Sequence, residues 1–254
     1  MQKLHLHSER LVKEVARKKI IYVIVEGPSD DEALGVILNR LYDKNAVYVE
    51  ITHGDITSRN GIVAGNIASK IGDMIRGYAN ANHYKAGDFQ EVVHLIDMDG
   101  AFIPNSLVVQ DENAVKPFYT ENEIKSAQPD QILLRNARKS ENINRICLMG
   151  KVWGSVPYRA YYMSANLDHV LYDKLNSSDK DKENDAFLFA KRYKDRLDEF
   201  LQFIADSEFS VAGDFKDSWE FIKEGKHSLE RHTNLGICFK EIREERMANS
   251  CDSD

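Results

Sequence analysis

The chain has 254 residues, 43% of them hydrophobic, and a formal net charge of −7. That length holds one large domain, or an ordinary domain with a substantial appendage. The acidic balance argues against a protein that coats nucleic acid through a broad basic surface, but not against an enzyme acting on it, where local basic groups and metal ions offset phosphate charge. No run approaches the length that spans a bilayer, and "MQKLHLHSERLVKEVARKK" lacks the apolar core of a secretory signal. Cys147, Cys238 and Cys251 form no closely spaced pair, so neither a disulfide framework nor a cysteine zinc site is indicated, and a reduced, cytoplasmic protein is expected.

In chain order, Ser8 can cap a short amphipathic helix carrying Leu11, Val12 and Val15. "IIYVIV" (20–25) is a continuous β-branched run, the pattern of a strand buried on both faces. In "GPSDDEALGVILNRLY" Pro28 and Ser29 signal a helix start, Ser29 and Glu32 have capping-box spacing, and Leu34, Ile37, Leu38 and Leu41 form an apolar stripe. "AVYVEIT" (46–52) reads as a second strand. Ile62, Ile67, Ile71, Met74, Ile75 and Tyr78 mark a long helix. "EVVHLID" (91–97) reads as a third strand and "RICLM" (145–149) as a fourth. Between these last two, residues 100–144 form an elaborated connection with one helix near 131–139. Strands alternating with helices point to an α/β fold, a mainly parallel sheet with flanking helices.

Beyond about Tyr158 the strand signal fades. "LDHVLYDKL" and "AFLFAKRYKDRLDEFLQFIAD" have helical periodicity, "NSSDKDKEND" reads as an exposed loop, a further amphipathic piece surrounds Trp219, and "EERMANSCDSD" reads as a frayed end. The expected organisation is an α/β domain over residues 1–155 and a helical C-terminal region over 156–254 packed on it.

Two strands end on acids. Glu26 closes the first, and Asp97 and Asp99 close the third. In open parallel sheets, ligand sites lie beyond the carboxyl ends of the strands. If those strands are neighbours, three carboxylates converge, and such a cluster raises its own pKa values unless a cation neutralises it. A hard divalent ion with oxygen ligands, Mg²⁺ or Mn²⁺, fits that need. Asp97 and Asp99 can face one ion if the chain bends at Asp99-Gly100, which the glycine permits.

"VIVEGPSDDEAL" followed by "VHLIDMDG" resembles the TOPRIM domain, shared by topoisomerases, primases, small RNA-maturing nucleases and the OLD family of nucleases. The resemblance covers about residues 18–155 and implies a Rossmann-like sheet, with Glu26 as the motif glutamate, Gly27 as its glycine, and Asp97 and Asp99 as the metal-binding pair. Asp30 stands where OLD-type nucleases carry a further acid, so a metal set of Glu26, Asp30, Asp97 and Asp99 is implied. Gly54 is a loose match to the family's glycine after strand two. The implied activity is Mg²⁺- or Mn²⁺-dependent phosphodiester hydrolysis of DNA or RNA, with Glu26, Asp97 and Asp99 catalytic. Lys151 is a candidate phosphate contact by position. The implied setting is bacterial anti-phage defence, with an ATPase partner protein; a homo-oligomer is left open and no membrane partner is expected. No ATPase signature precedes the domain.

Competing readings stay open. Asp30, Asp31 and Glu32 also suit a helix N-terminus. His94 fits a packed core histidine. Arg135, Arg138 and Lys139 in "NARKS" offer a backbone-binding helix face or a merely solvated one. Arg231, His232 and Asn234 offer a phosphate contact or a capped turn. "HLIDMDGAFI" also resembles the first motif of haloacid-dehalogenase-type phosphatases, with Asp97 as nucleophile and Asp214 and Asp217 as late acids. Against this stand Ala101, where those enzymes have threonine, and the strand-helix unit that precedes the motif. A third reading is an inactive TOPRIM fold serving as a binding module.

Overall fold

A computed structural model describes residues 18–42 and 47–251. The helix expected around Leu11 to Val15 lies outside them. In chain order the elements are β1 (Lys19–Val25), α1 (Pro28–Leu41), β2 (Val47–His53), α2 (Ile67–Ala81), β3 (Phe89–Asp97), β4 (Val108–Gln110), β5 (Phe118–Tyr119), β6 (Ile124–Ser126), α3 (Pro129–Ile146), β7 (Lys151–Val152), β8 (Val156–Met163), α4 (Leu167–Tyr172), α5 (Asp179–Tyr193), α6 (Leu197–Asp206), α7 (Phe215–Ile222), α8 (Leu235–Cys238) and α9 (Lys240–Cys251). The main sheet has the order β2-β1-β3-β8-β7. Its first four strands are parallel, and β7 is antiparallel to β8. The fold is therefore α/β with a mixed, mostly parallel sheet. Among the described residues no helix is long and apolar enough to cross a membrane.

The apolar run of β1 is divided between two cores, because successive side chains of a strand point to opposite faces. Ile21, Val23 and Val25 pack with α1, α4, α5 and α6, whereas Ile20, Tyr22 and Ile24 pack with α2, the end of α3 and α7. Strand β8 is shared in the same way: Tyr161 and Met163 face one core, Tyr158, Ala160 and Tyr162 the other. Both faces being covered explains why β1 carries no polar alternation.

Three expectations need correction. The fourth parallel strand is β8, not "RICLM": Arg145 and Ile146 finish α3, where Ile143 and Ile146 complete its apolar stripe. A boundary at residue 155 falls directly before β8, which pairs with β3 from Val92↔Tyr158 to Asp97↔Met163, so the C-terminal segment supplies a central strand rather than an appendage. And "NSSDKDKEND" is mostly helix: Ser178 caps α5, its side chain accepting from the Asp181 N–H, while α9 continues to Cys251 through the tail expected to fray. The connection after β3 also holds a small sheet of order β4-β6-β5, whose Val108 and Ile124 pack with Ile103, Ile132 and Leu229.

His94 is the packed histidine of β3. Its Nδ1 lies 2.7 Å from the Tyr158 hydroxyl, and burial holds its pKa down to about 3, against 6.5 for a free imidazole. Between those pH values the unfolded chain binds the extra proton, so the stability present above about pH 6.5 is lost as pH falls toward 3. The urea midpoint of His94→Gln should fall less between pH 7 and pH 4 than that of the parent chain; equal slopes would contradict this assignment.

Candidate functional site

Parallel pairing of β1 with both β2 and β3 puts Glu26, Gly54 and Asp97 at one edge of the sheet, the edge where the four parallel strands end. Glu26 Oε1 accepts a hydrogen bond from the Asp97 backbone N–H at 3.2 Å, so the two acidic strand ends meet. Asp97 Oδ1 in turn accepts from the Leu167 N–H at 3.1 Å, at the start of α4. Beyond Asp97 the chain turns sharply. Asp99 and Gly100 have φ of +49° and +67°. A Cβ on Gly100 would come within 2.7 Å of a Leu229 methyl, so glycine is required there by space as well as by φ.

That turn is strapped from two sides. The Met98 and Asp99 N–H groups donate to the carbonyls of Met163 and Ala165 at 2.8 and 2.7 Å, and the Gly100 N–H donates to the Ser228 carbonyl at 3.1 Å. From α3, Arg135 Nη2 donates to the Asp99 carbonyl at 2.7 Å and Asn136 Nδ2 to the Gly100 carbonyl at 3.2 Å. Asn142 of the same helix face holds the loop after β2 through the Thr57 and Ile62 carbonyls, at 2.8 and 3.2 Å.

The cation at the centre is Lys139. Its side chain is 0% exposed; its Nζ binds Asp99 Oδ2 and lies 3.4 Å from Glu26 Oε1. Burial opposes its charge, but Asp99, Glu26, Asp55 and Asp97 outweigh burial, and its pKa is raised. One ammonium does not satisfy its neighbours. Burial, with Asp99, Asp55 and Asp30 adding to it against Lys139, pushes Glu26 up to about 8. Burial and the neighbouring Glu26, Asp30 and Asp99 push Asp97 well above the carboxylate range. Asp55 is the exception. Burial works against its charge, yet Lys139 and hydrogen bonds from Ser58 and Thr57 hold it below its usual value.

Asp30 sits beside this group with a second role. Gly27 is the N-cap of α1, and its N–H donates to Asp30 Oδ2 at 2.9 Å, so the cap joins Gly27 to Asp30, in place of the expected Ser29 and Glu32. Burial pushes Asp30 up to about 6, and Asp168 adds to the rise. Asp168, near the start of α4, is buried, with Lys182 Nζ 3.4 Å from its Oδ2. Burial opposes the charge of Lys182, which Asp168, Asp97 and Asp30 restore and raise. Glu26, Asp30, Asp97, Asp99 and Asp168 thus share two ammonium groups, Lys139 and Lys182.

The structure gathers Glu26, Asp30, Asp97 and Asp99 but not Lys151. Lys151 pairs with Pro157 at the opposite end of β8, next to the Tyr158 that pairs with Val92. Five residues of strand separate that level from Asp97, about 17 Å. The "NARKS" face is engaged with the protein: half-buried Arg138 donates from Nη1 to the Ser58 carbonyl at 2.9 Å and to Asn60 Oδ1 at 2.6 Å, and Lys139 is buried. Asn234 is a buried strut, accepting from the Tyr162 N–H at 2.8 Å and donating to Ser218 at 3.0 Å. Arg231 donates to the Val170 carbonyl at 2.8 Å, and the His232 N–H donates to Ser164 Oγ at 2.6 Å. Sequence reasoning missed Asp55, Lys182 and Asp168, of which Asp168 left a signal. It follows the end of β8 as Asp97 ends β3, a signal that depends on placing β8 correctly.

A different set of side chains could also hold a metal ion. Among the described residues, Glu121, His169 and Asp173 offer ligand atoms that all lie within 4.8 Å of one another.

Removing the Lys139 ammonium takes the nearest counter-charge from Glu26 and leaves Asp99 with the Arg135 guanidinium alone. Lys139→Met should cost about 3–5 kcal/mol, read as a lowered urea midpoint at pH 7. Adding Glu26→Gln to Lys139→Met should recover part of that loss. Strict additivity of the two substitutions would contradict the coupling.

No protein-family model matches the chain, and neither a curated protein nor a solved structure matches it.

Proposed function

We propose that the chain is a divalent-cation-dependent phosphodiesterase acting on nucleic acid, with a TOPRIM-like α/β fold. The observation that carries this reading is the meeting of the two acidic strand ends, Glu26 on the Asp97 N–H, with more carboxylates than ammonium groups around them among the described residues. The donor set is entirely oxygen, which suits Mg²⁺ or Mn²⁺ and not a softer ion. Carboxylates pushed to high pKa by burial are groups that need a further cation, whether a proton or a metal.

Glu26, Asp97 and Asp99 would hold the ion, with Asp30 and Asp168 available to a second. A bound ion would polarise the phosphodiester and offset the charge that develops on it. The chain's own groups do the rest. The Leu167 N–H and the Asp97 N–H fix the orientation of the Asp97 and Glu26 carboxyl groups. Lys139 touches Asp99 and Glu26 from the protein side and, being fully buried, is a positioning residue and not a substrate contact. Glu26 would serve either as a ligand or, left off the ion, as the group that takes the proton of an attacking water as the new P–O bond forms and returns it to the leaving oxygen as the old one breaks. Nucleic acid is the proposed partner; the ATPase partner and the anti-phage setting rest on the resemblance alone.

The phosphatase reading is weaker because its late acids lie elsewhere. Asp214 caps α7, its Oδ1 accepting from the Lys216 N–H at 2.7 Å, and it lines a hollow with Asp206, Lys240 and Arg243.

The test is cleavage of single-stranded, double-stranded and structured DNA and RNA, with Mg²⁺, Mn²⁺ or chelator. Activity should require the metal, and Glu26→Gln and Asp97→Asn should each lower it by about 10²-fold or more, while Lys151→Ala leaves it unchanged. Activity that survives both substitutions would overturn the proposal; metal-independent turnover of small phosphate esters would favour the phosphatase.

A further inference from the structure

The connection between β3 and α3 meets α4 at a point the carboxylate site does not use. There His169 is 1% exposed at its side chain, and its Nδ1 has no hydrogen-bond partner. Its Nε2 lies between two carboxylates of different elements, 3.8 Å from Glu121 Oε1 and 3.9 Å from Asp173 Oδ1. Both distances exceed a hydrogen bond. The nearest cation is Arg231, with Nη1 3.7 Å from Asp173 Oδ2, but its Nε and Nη2 are committed to the Val170 carbonyl. A buried nitrogen donor thus faces two surface carboxylates.

We propose that Glu121, His169 and Asp173 bind a divalent first-row transition ion of the Zn²⁺ type, which fastens the β5–β6 hairpin to α4. One imidazole and two carboxylates form a mixed nitrogen and oxygen donor set, which selects Zn²⁺ over Mg²⁺. Ligands about 2.0–2.2 Å from a tetrahedral ion stand about 3.4 Å apart, so the present span of up to 4.8 Å must tighten. The adjustable partners are the right ones: Glu121 and Asp173 are 57% and 64% exposed, while His169 is fixed in the core. Water would complete the shell.

The ion would brace the neighbouring carboxylate site without entering it. Leu167 at the start of α4 holds Asp97. Tyr119 in β5, just before Glu121, binds Arg135, which holds the Asp99 carbonyl. A link between Glu121 and α4 therefore ties together the two elements that steady Asp97 and Asp99. This inference does not depend on what the carboxylate site does.

The test uses the full chain, stripped by chelator and titrated with Co²⁺ in millimolar Mg²⁺. One equivalent should develop visible d–d absorption, bleached by Zn²⁺ but not by further Mg²⁺, and Zn²⁺ alone should raise the thermal midpoint. Glu121→Gln, a surface change, should weaken Co²⁺ binding by about tenfold or more, and His169→Ala should abolish the absorption, whereas Asp97→Asn should leave it intact. Should His169→Ala fail to fold, Asp173→Asn serves in its place. Absence of the absorption in the parent chain, or its persistence at unchanged affinity in Glu121→Gln, would overturn the proposal. So would its loss in Asp97→Asn alone.

Discussion

Charge shortage at the carboxyl edge of the sheet is the constraint around which the rest of the chain is arranged. The parallel pairing of β1 with β3 inside the sheet also brings Glu26 against Asp97. Carboxylates in such a place are costly unless countered. The fold answers with one fully buried ammonium, Lys139, a second at Lys182, and backbone N–H groups aimed at particular oxygens. The answer is incomplete, as the raised pKa values of Glu26, Asp30 and Asp97 record. Perturbed carboxyl groups of this kind cluster at functional sites.

Several elements read as service to that edge. Helix α3 lays Asn136, Lys139 and Asn142 along its inner face, and each is spent on a loop at the carboxyl ends: residues 99–100, the acids themselves, and the stretch from Thr57 to Ile62. The segment after α7, which carries Ser228 and His232, supplies carbonyls to Gly100, Ala165 and Ser164. Strand β8 delivers α4 and with it the N–H on Asp97 and the carboxylate of Asp168. The C-terminal third is therefore part of the site's foundation.

The strands bearing Glu26 and Asp97 were legible because a continuous apolar run ending on an acid leaves few other readings. Strand β8 was not. "VPYRAYYM" carries Pro157 and Arg159 on exposed positions near its start, while "RICLM" looks more strand-like although its Ile146 belongs to a helical stripe. Lys139 was hidden for a related reason. The buried face of α3 runs Ile132, Asn136, Lys139, Asn142, Ile143, Ile146, so a stripe with helical period is interrupted by polar residues that sequence periodicity counts as solvated. Their burial follows from partners distant in the chain, which no local pattern contains. Asp30 shows the opposite case: the carboxylate expected at the helix start caps Gly27 and also stands beside Asp168.

The claim that the edge needs another cation is tested most directly by crystals soaked in Mn²⁺ and measured at a wavelength where manganese scatters anomalously. The account predicts a peak about 2.0–2.6 Å from an oxygen of Glu26 and one of Asp97, with Lys139 displaced from Glu26 or shared with it. Saturating Mn²⁺ with no peak at that edge, and Lys139 still joining Glu26 to Asp99, would contradict it.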